Sequence, residues 1–115
     1  MKIKWEEIKI FIKPGPTDMR KQINGLTVLI QEELQHDPFT GNLYIFCSRN
    51  RRRLKIVYWD RNGFCMWLKR LEKDTFPWPK DVEECREITE KKLEMILDGI
   101  NFFNAHKTLH FSAVS

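Results

Sequence analysis

Apolar positions change period three times along this chain. Lys9-Ile10-Phe11-Ile12-Lys13 is a short β-branched run that predicts a strand, stopped by Pro14-Gly15-Pro16. Met19, Ile23, Leu26, Ile30 and Leu34 then recur at helical spacing, so an amphipathic helix is expected from Thr17 to near Gln35. Thr17 would be its N-cap, and Asp18 would lie in its first turn, where a negative charge suits the helix dipole. After the turn residues 36–42 the period shortens. Leu43–Cys47, Leu54–Trp59 and Phe64–Leu71 predict three strands, the last two joined at Asn62-Gly63, a hairpin signal. Thr75-Phe76 predicts a short edge piece before Pro77-Trp78-Pro79. A second helix is expected behind an N-cap at Thr89, with Leu93, Ile96, Leu97 and Ile100 on its apolar face. Ile88 would staple onto Leu93, and Gly99 would be the terminator.

Strands clustered in the middle and helices at either end predict an α+β fold. The expected form is an antiparallel β-meander of four to five strands packed with an N-terminal-half helix and a C-terminal helix. A length of 115 residues fits one domain, drawn here as residues 1–100 with a tail over residues 101–115. Eight Phe, four Trp and two Tyr supply the apolar bulk for a core. No apolar run is long enough to span a membrane, so no membrane partner is expected. Glu6 and Glu7 fall where a signal peptide needs its apolar stretch, which predicts a cytoplasmic protein. Cys47, Cys65 and Cys85 form no metal-ligand or CxxC spacing and are expected as reduced thiols in or near the core.

Charge adds a polarity that hydropathy does not. From Arg49 to Arg61 the basic residues Arg49, Arg51, Arg52, Arg53, Lys55 and Arg61 face Asp60 alone. From Asp81 to Asp98 seven acids outnumber Arg86, Lys91 and Lys92. If strands 43–47 and 54–59 pair, residues 48–53 form a hairpin tip whose arginines can reach phosphates, and a two-stranded ribbon can enter a major groove. A solvated turn charged only for solubility is the plain alternative. Trp59, Trp67 and Trp78 offer stacking surfaces to unpaired bases, against a simpler role in core packing.

Signatures of catalysis do not emerge. The sequence holds no GxSxG and no phosphate-cradling glycine loop, and Asp18, Asp37 and Asp60 have cap or turn roles. His106 and His110 have helical spacing for a metal but lack the companion ligands of a zinc hydrolase. The expectation is a non-enzyme with no cofactor and no metal.

Several ordered blocks nevertheless carry a resemblance. They are Gly15-Pro16-Thr17-Asp18-Met19-Arg20-Lys21, Asn24-Gly25-Leu26, residues 37–46 and Leu54–Asp60, followed by Asn62-Gly63-Phe64, Lys69–Lys73 and Phe76–Pro79. Together they resemble the Orf2-like (TnpB) accessory proteins of the bacterial insertion-sequence family numbered sixty-six, over roughly residues 10–100. The Arg-rich 47–53 segment departs from that pattern, as does the segment after Ile100. The resemblance implies a part in DNA transposition beside a separately encoded transposase, with no catalytic centre. The expected partners are duplex DNA and that transposase, with homo-oligomerisation left open. Arg49, Arg51, Arg52, Arg53, Lys55 and Arg61 are the candidate DNA contacts, joined by Arg20 and Lys21. The runner-up is a protein-interaction module docking on the transposase through the acidic helix or a sheet edge. A metal-dependent nuclease using Asp18 or Asp60 stands furthest.

Overall fold

The structure, a computed structural model, describes residues 6–80 and 86–99. Five strands form one sheet: β1 (Ile10–Ile12), β2 (Leu43–Cys47), β3 (Arg53–Asp60), β4 (Gly63–Arg70) and β5 (Arg86–Ile88). Their order across the sheet is β4-β3-β2-β1-β5. Helix α1 (Ile23–Glu32) connects β1 to β2, and α2 (Glu90–Leu97) follows β5. The fold is α+β, as expected, and the sheet is antiparallel at every pairing but one.

That one exception corrects the simple meander. Strand β1 runs parallel to β2, with Phe11 opposite Tyr44, so β1-α1-β2 is a crossover unit feeding the antiparallel β2-β3-β4. A parallel pair needs a long connection, and the stretch containing α1 supplies it. The fifth strand is also not where the sequence suggested. Thr75-Phe76 forms no strand; Phe76 is buried and donates its N–H to Arg51 O at 2.7 Å. The edge position beyond β1 is taken instead by residues 86–88, with Phe11 opposite Glu87.

Helix α1 begins five residues later than expected. Thr17 does not cap it; Gln22 stands at the N-cap without a side-chain hydrogen bond. Residues 18–21 form a turn instead, with Lys21 N–H donating to Asp18 O at 3.1 Å. Tertiary bonds override the local cap signal here. Thr17 N–H donates to Cys47 O, and the carbonyls of Met19 and Lys21 are held by Lys55. The β3–β4 hairpin is where the sequence put it, but its register sets Asp60 opposite Gly63. Its loop is therefore Arg61-Asn62, and the positive φ, 54°, falls on Arg61. The second helix matches its expected start: Thr89 Oγ1 accepts from Lys92 N–H at 3.2 Å, and Gly99 takes the left-handed terminator position with φ 82°.

Strand alternation divides the interior in two. Leu26, Leu29 and Ile30 of α1 cover Tyr44, Phe46 and Val57 on one face. On the other, Ile12, Ile45, Leu54 and Ile56 pack under Phe76, Trp78, Leu93 and Ile96. Both sheet faces are thus occupied, which explains why β2 and most of β3 read as nearly continuous apolar runs. Among the described residues, no helix is long and apolar enough to cross a membrane.

Cys47 is fully buried at the end of β2, and Cys65 is half-buried on β4; both are free thiols, and Cys85 lies outside the described residues. Burial pushes the Cys47 thiol up to about 12, against 9.0 for an exposed one. A raised folded-state pKa gives stability that is complete below pH 9 and is lost as the pH climbs toward 12. Burial raises Tyr58 as well, which adds loss in the same direction. Denaturant midpoints measured from pH 8 to 12 should therefore fall, and Cys47→Ala should flatten the fall while leaving the Tyr58 part. An unchanged slope in the variant would count against a buried Cys47.

Candidate nucleic-acid interface

One end of the sheet collects the residues of interest. The β2–β3 loop, Ser48 to Arg52, is organised by Ser48 and Asn50. Ser48 Oγ accepts from Arg53 N–H at 3.0 Å and donates to Asn50 Oδ1 at 2.7 Å, which in turn accepts from Arg52 N–H at 3.0 Å. Arg51 holds a left-handed φ of 59°. The loop is bonded on both flanks: Arg52 O accepts from Leu71 N–H, and Arg51 O accepts from Phe76 N–H, each at 2.7 Å. It is consequently not a projecting ribbon. Strands β2 and β3 pair antiparallel as the expected hairpin, but its tip is seated against residues 71–76, with Arg49 and Arg52 exposed, Arg51 half-buried and Ser48 buried.

Beside this loop lies the 13–21 segment. Thr17 N–H reaches Cys47 O at 2.8 Å, and Gly15 N–H reaches Pro79 O at 2.9 Å. Trp78 Nε1 donates to both Lys13 O (3.0 Å) and Gly15 O (3.1 Å), locking the Pro77-Trp78-Pro79 segment onto the same corner. Two clefts open between these pieces. One, of about 290 Å³, is lined by Pro16, Arg49, Arg51, Trp78, Pro79 and Lys80 among others. The second, of about 360 Å³, runs over residues 16–20 to Arg49. Pro16 and Arg49 belong to both, so the clefts adjoin. A third, of about 410 Å³, shares Met19 with the second and includes Arg53, Lys55 and Arg70. The Gly-Pro-Thr-Asp-Met-Arg block and the arginine loop, 30 residues apart in the chain, therefore form one surface.

Arg49, Arg52 and Arg53 are exposed, Arg51 is half-buried, and none of these guanidinium groups makes an ion pair or hydrogen bond with a described residue. Arg20 is different. It grips Asp18 side-on, with Nη2 to Oδ2 at 2.8 Å and Nε to Oδ1 at 3.1 Å. These hydrogen bonds hold the Asp18 carboxyl down to about 2, so Asp18 stays ionised and offsets much of the Arg20 charge. Arg70 is likewise held by Glu72 at 2.9 Å.

Lys55 leaves the set of surface contacts altogether. It is 4% exposed, and its Nζ donates to Met19 O at 2.9 Å and Lys21 O at 2.7 Å. Burial lowers its pKa from the usual lysine value. Period-2 alternation points Lys55 toward the α1 side of the sheet, where it serves as a tie for the 18–21 turn. Arg61 is separated too: it sits in the β3–β4 turn, roughly 25 Å along the strand from Arg53, with Asp60 at 3.8 Å. Lys21 is exposed beside Arg20, and its aliphatic stem lies against Gly25. Sequence reasoning missed Lys80 and Arg70 as neighbours of this surface; no local signal marks them, because only the packing of Trp78 and the β3–β4 register bring them in.

Of the three tryptophans offered as stacking surfaces, Trp78 is buried, and Trp59 sits in an aromatic cluster with Phe39 and Phe64 at ring distances of 5.0 and 4.9 Å. Trp67 remains 44% exposed. Asp18 lies in the 18–21 turn tied to Lys55, Asp60 ends β3, and Asp37 caps the 3-10 turn Pro38–Thr40. Among the described residues no group of three His, Cys, Asp or Glu side chains stands close enough to hold a metal. His106 and His110 lie outside the described residues, as do the acids Asp81, Glu83 and Glu84.

Thr17 carries one unusual atom. The residue is 6% exposed, and its Oγ1 is buried without a hydrogen-bond partner among the described residues. A desolvated, unpaired hydroxyl is destabilising, while an apolar group of the same shape is neutral or better. Thr17→Val should therefore keep or raise the melting temperature, by up to about 1 kcal/mol of stability. A clear drop in thermal unfolding would mean that the hydroxyl is bonded in solution.

Comparison with known proteins gives the surface its context. The sequence profile of the family described as IS66 Orf2 like protein matches residues 8–107. Two relatives come from Sinorhizobium fredii (strain NBRC 101917 / NGR234). The "uncharacterized protein y4hO" is 32% identical over 103 residues, 90% of each chain. The "uncharacterized protein y4jC" is 26% identical over 95 residues, covering 83% of this chain and 81% of its own. No solved structure matches. The match spans β1 through α2, including both the 15–21 block and the arginine loop, and the chain belongs to the IS66 Orf2-like (TnpB) family of proteins involved in insertion-sequence transposition.

Proposed function

We propose that this protein is a non-catalytic accessory factor of insertion-sequence transposition that contacts DNA through the basic end of its sheet and assists a separately encoded transposase. The observation that carries this reading is the convergence of Arg49 and Arg51 with residues 15–20 around two adjoining clefts, with Arg52 and Arg53 exposed beside them and all four arginines free of ion pairs among the described residues. Guanidiniums held on a rigid loop suit phosphate oxygens, since little ordering is needed on contact. The test is retention of the purified protein on duplex DNA across a salt series. Retention that falls steeply with salt supports the reading, and no retention at low salt overturns it.

One feature favours the alternative of a docking module. Strand β4 forms a sheet edge eight residues long among the described residues, and it carries Trp67 and Leu68 at 44% and 52% exposure. An open edge with apolar side chains is a template for strand addition by a partner. Pull-down from cells carrying the whole element, with and without nuclease, separates the two. Transposase recovered equally in both arms favours docking; transposase lost on nuclease treatment favours contact through DNA.

A further inference from the structure

We infer that the cleft between Pro16 and Pro79 is a subsite for a single unpaired nucleotide, so that the DNA recognised is a strand end or single-stranded tail rather than an uninterrupted duplex. This rests on the DNA reading above and deepens it. Three features of the cleft carry it. The first is size and form: about 290 Å³ lies at the small end of ligand pockets, room for one small planar group and its sugar. A recess presents no protruding helix or ribbon of the kind that a major groove admits. The arginine loop, bonded to residues 71 and 76, does not protrude.

The second feature is lining chemistry. Pro16, Trp78 and Pro79 give apolar wall, and Arg49, Arg51 and Lys80 stand around it as cations. An unpaired nucleotide has the matching halves: an apolar base face for the wall and a phosphate for the guanidiniums. A base inside a duplex has its faces already stacked and cannot offer one. The third is preorganisation. Gly15 N–H to Pro79 O, the two bonds from Trp78 Nε1, and the Ser48–Asn50 network fix both walls before any ligand arrives. Arg49 also lines the adjoining cleft over residues 16–20, so a strand leaving the subsite continues along a basic surface.

The test compares two fluorescein-labelled DNA hairpins by anisotropy at fixed salt. One is blunt, and the other carries a four-thymidine 3′ tail with its stem shortened to keep the phosphate number equal. The expected result is at least about tenfold tighter binding of the tailed hairpin, the smaller end of what stacking one or two bases supplies. Pro16 is exposed at the cleft mouth, and the bulk of Pro16→Trp should fill it and remove the preference for the tail, bringing the two hairpin affinities within about twofold of each other. Circular dichroism confirms that the variant is folded, and Lys80→Ser, which should weaken the tailed hairpin more than the blunt one, serves as an independent second variant. Equal affinity of the wild type for both hairpins overturns the subsite and leaves the DNA reading standing. Binding of neither hairpin overturns both. Equal loss on both hairpins in Pro16→Trp overturns the assignment to this cleft.

Discussion

Replacing Arg49, Arg52 and Arg53 together with Ser should flatten the salt dependence of DNA binding by up to roughly 2.7 in log–log slope, about 0.9 for each of the three that meets a duplex phosphate. At 0.1 M salt this corresponds to a loss of roughly 10²–10³-fold in affinity, provided the remaining contacts stay in place. These three side chains are exposed and make no ion pair with a described residue, so their removal strips charge without dismantling packing. The loop itself is held by Ser48, Asn50 and main-chain groups, all retained in the variant. Arg61 gives the internal control. It is the most accessible arginine of the β3–β4 turn but sits at the far end of the sheet from the clefts. Arg61→Ser should leave the slope where it is. Equal slopes for the triple variant and the wild type would remove the arginine loop from the function. A drop with Arg61→Ser as large as one contact would instead mean that DNA wraps the whole length of β3.

Much of this surface is visible in the sequence, and the rest is hidden for identifiable reasons. The arginine run is legible because charge density survives without coordinates, and β2, β3 and β4 are legible because turn residues punctuate apolar runs. The Thr17 cap failed because a cap signal is local, whereas Thr17, Met19 and Lys21 are held by Cys47 and Lys55 from across the chain. Strand β1 reads correctly as a strand, yet nothing in a three-residue strand says whether its neighbour runs parallel. The burial of Lys55 is hidden in the sequence for a related reason. Sequence proximity to Arg53 groups it with the loop, but strand alternation and the approach of the 18–21 turn put its ammonium under a roof of carbonyls. Arg61 shows the converse: six residues further on, an extended strand carries it away from the cluster it belongs to by composition.

Lys55→Met should cost about 2–4 kcal/mol of stability, enough to lower the melting temperature by roughly 10–15 °C in a domain of this size. Methionine keeps the stem and its packing but removes the donor, leaving Met19 O and Lys21 O without their partner. Each orphaned acceptor costs about 1–3 kcal/mol where water cannot replace the bond, and relief from burying an ammonium returns part of it. That relief has a pH signature. The folded-state pKa of Lys55 is lowered, so in the window below 10.5 the unfolded chain holds its proton more firmly than the native one. Stability contributed at this position in the wild type therefore rises as pH climbs through the window, opposite in sign to the losses from Cys47 and Tyr58. Subtracting the Lys55→Met stability curve from the wild-type curve should isolate that rise. The same variant separates a tie from a phosphate contact. A tie predicts a large fall in melting temperature, because the 18–21 turn loosens. A surface phosphate contact predicts an unchanged melting temperature and a DNA salt slope lower by about 0.9. With Nζ lodged on two main-chain oxygens, the first outcome is the one the geometry requires, and the second would mean that Lys55 leaves those carbonyls to meet DNA.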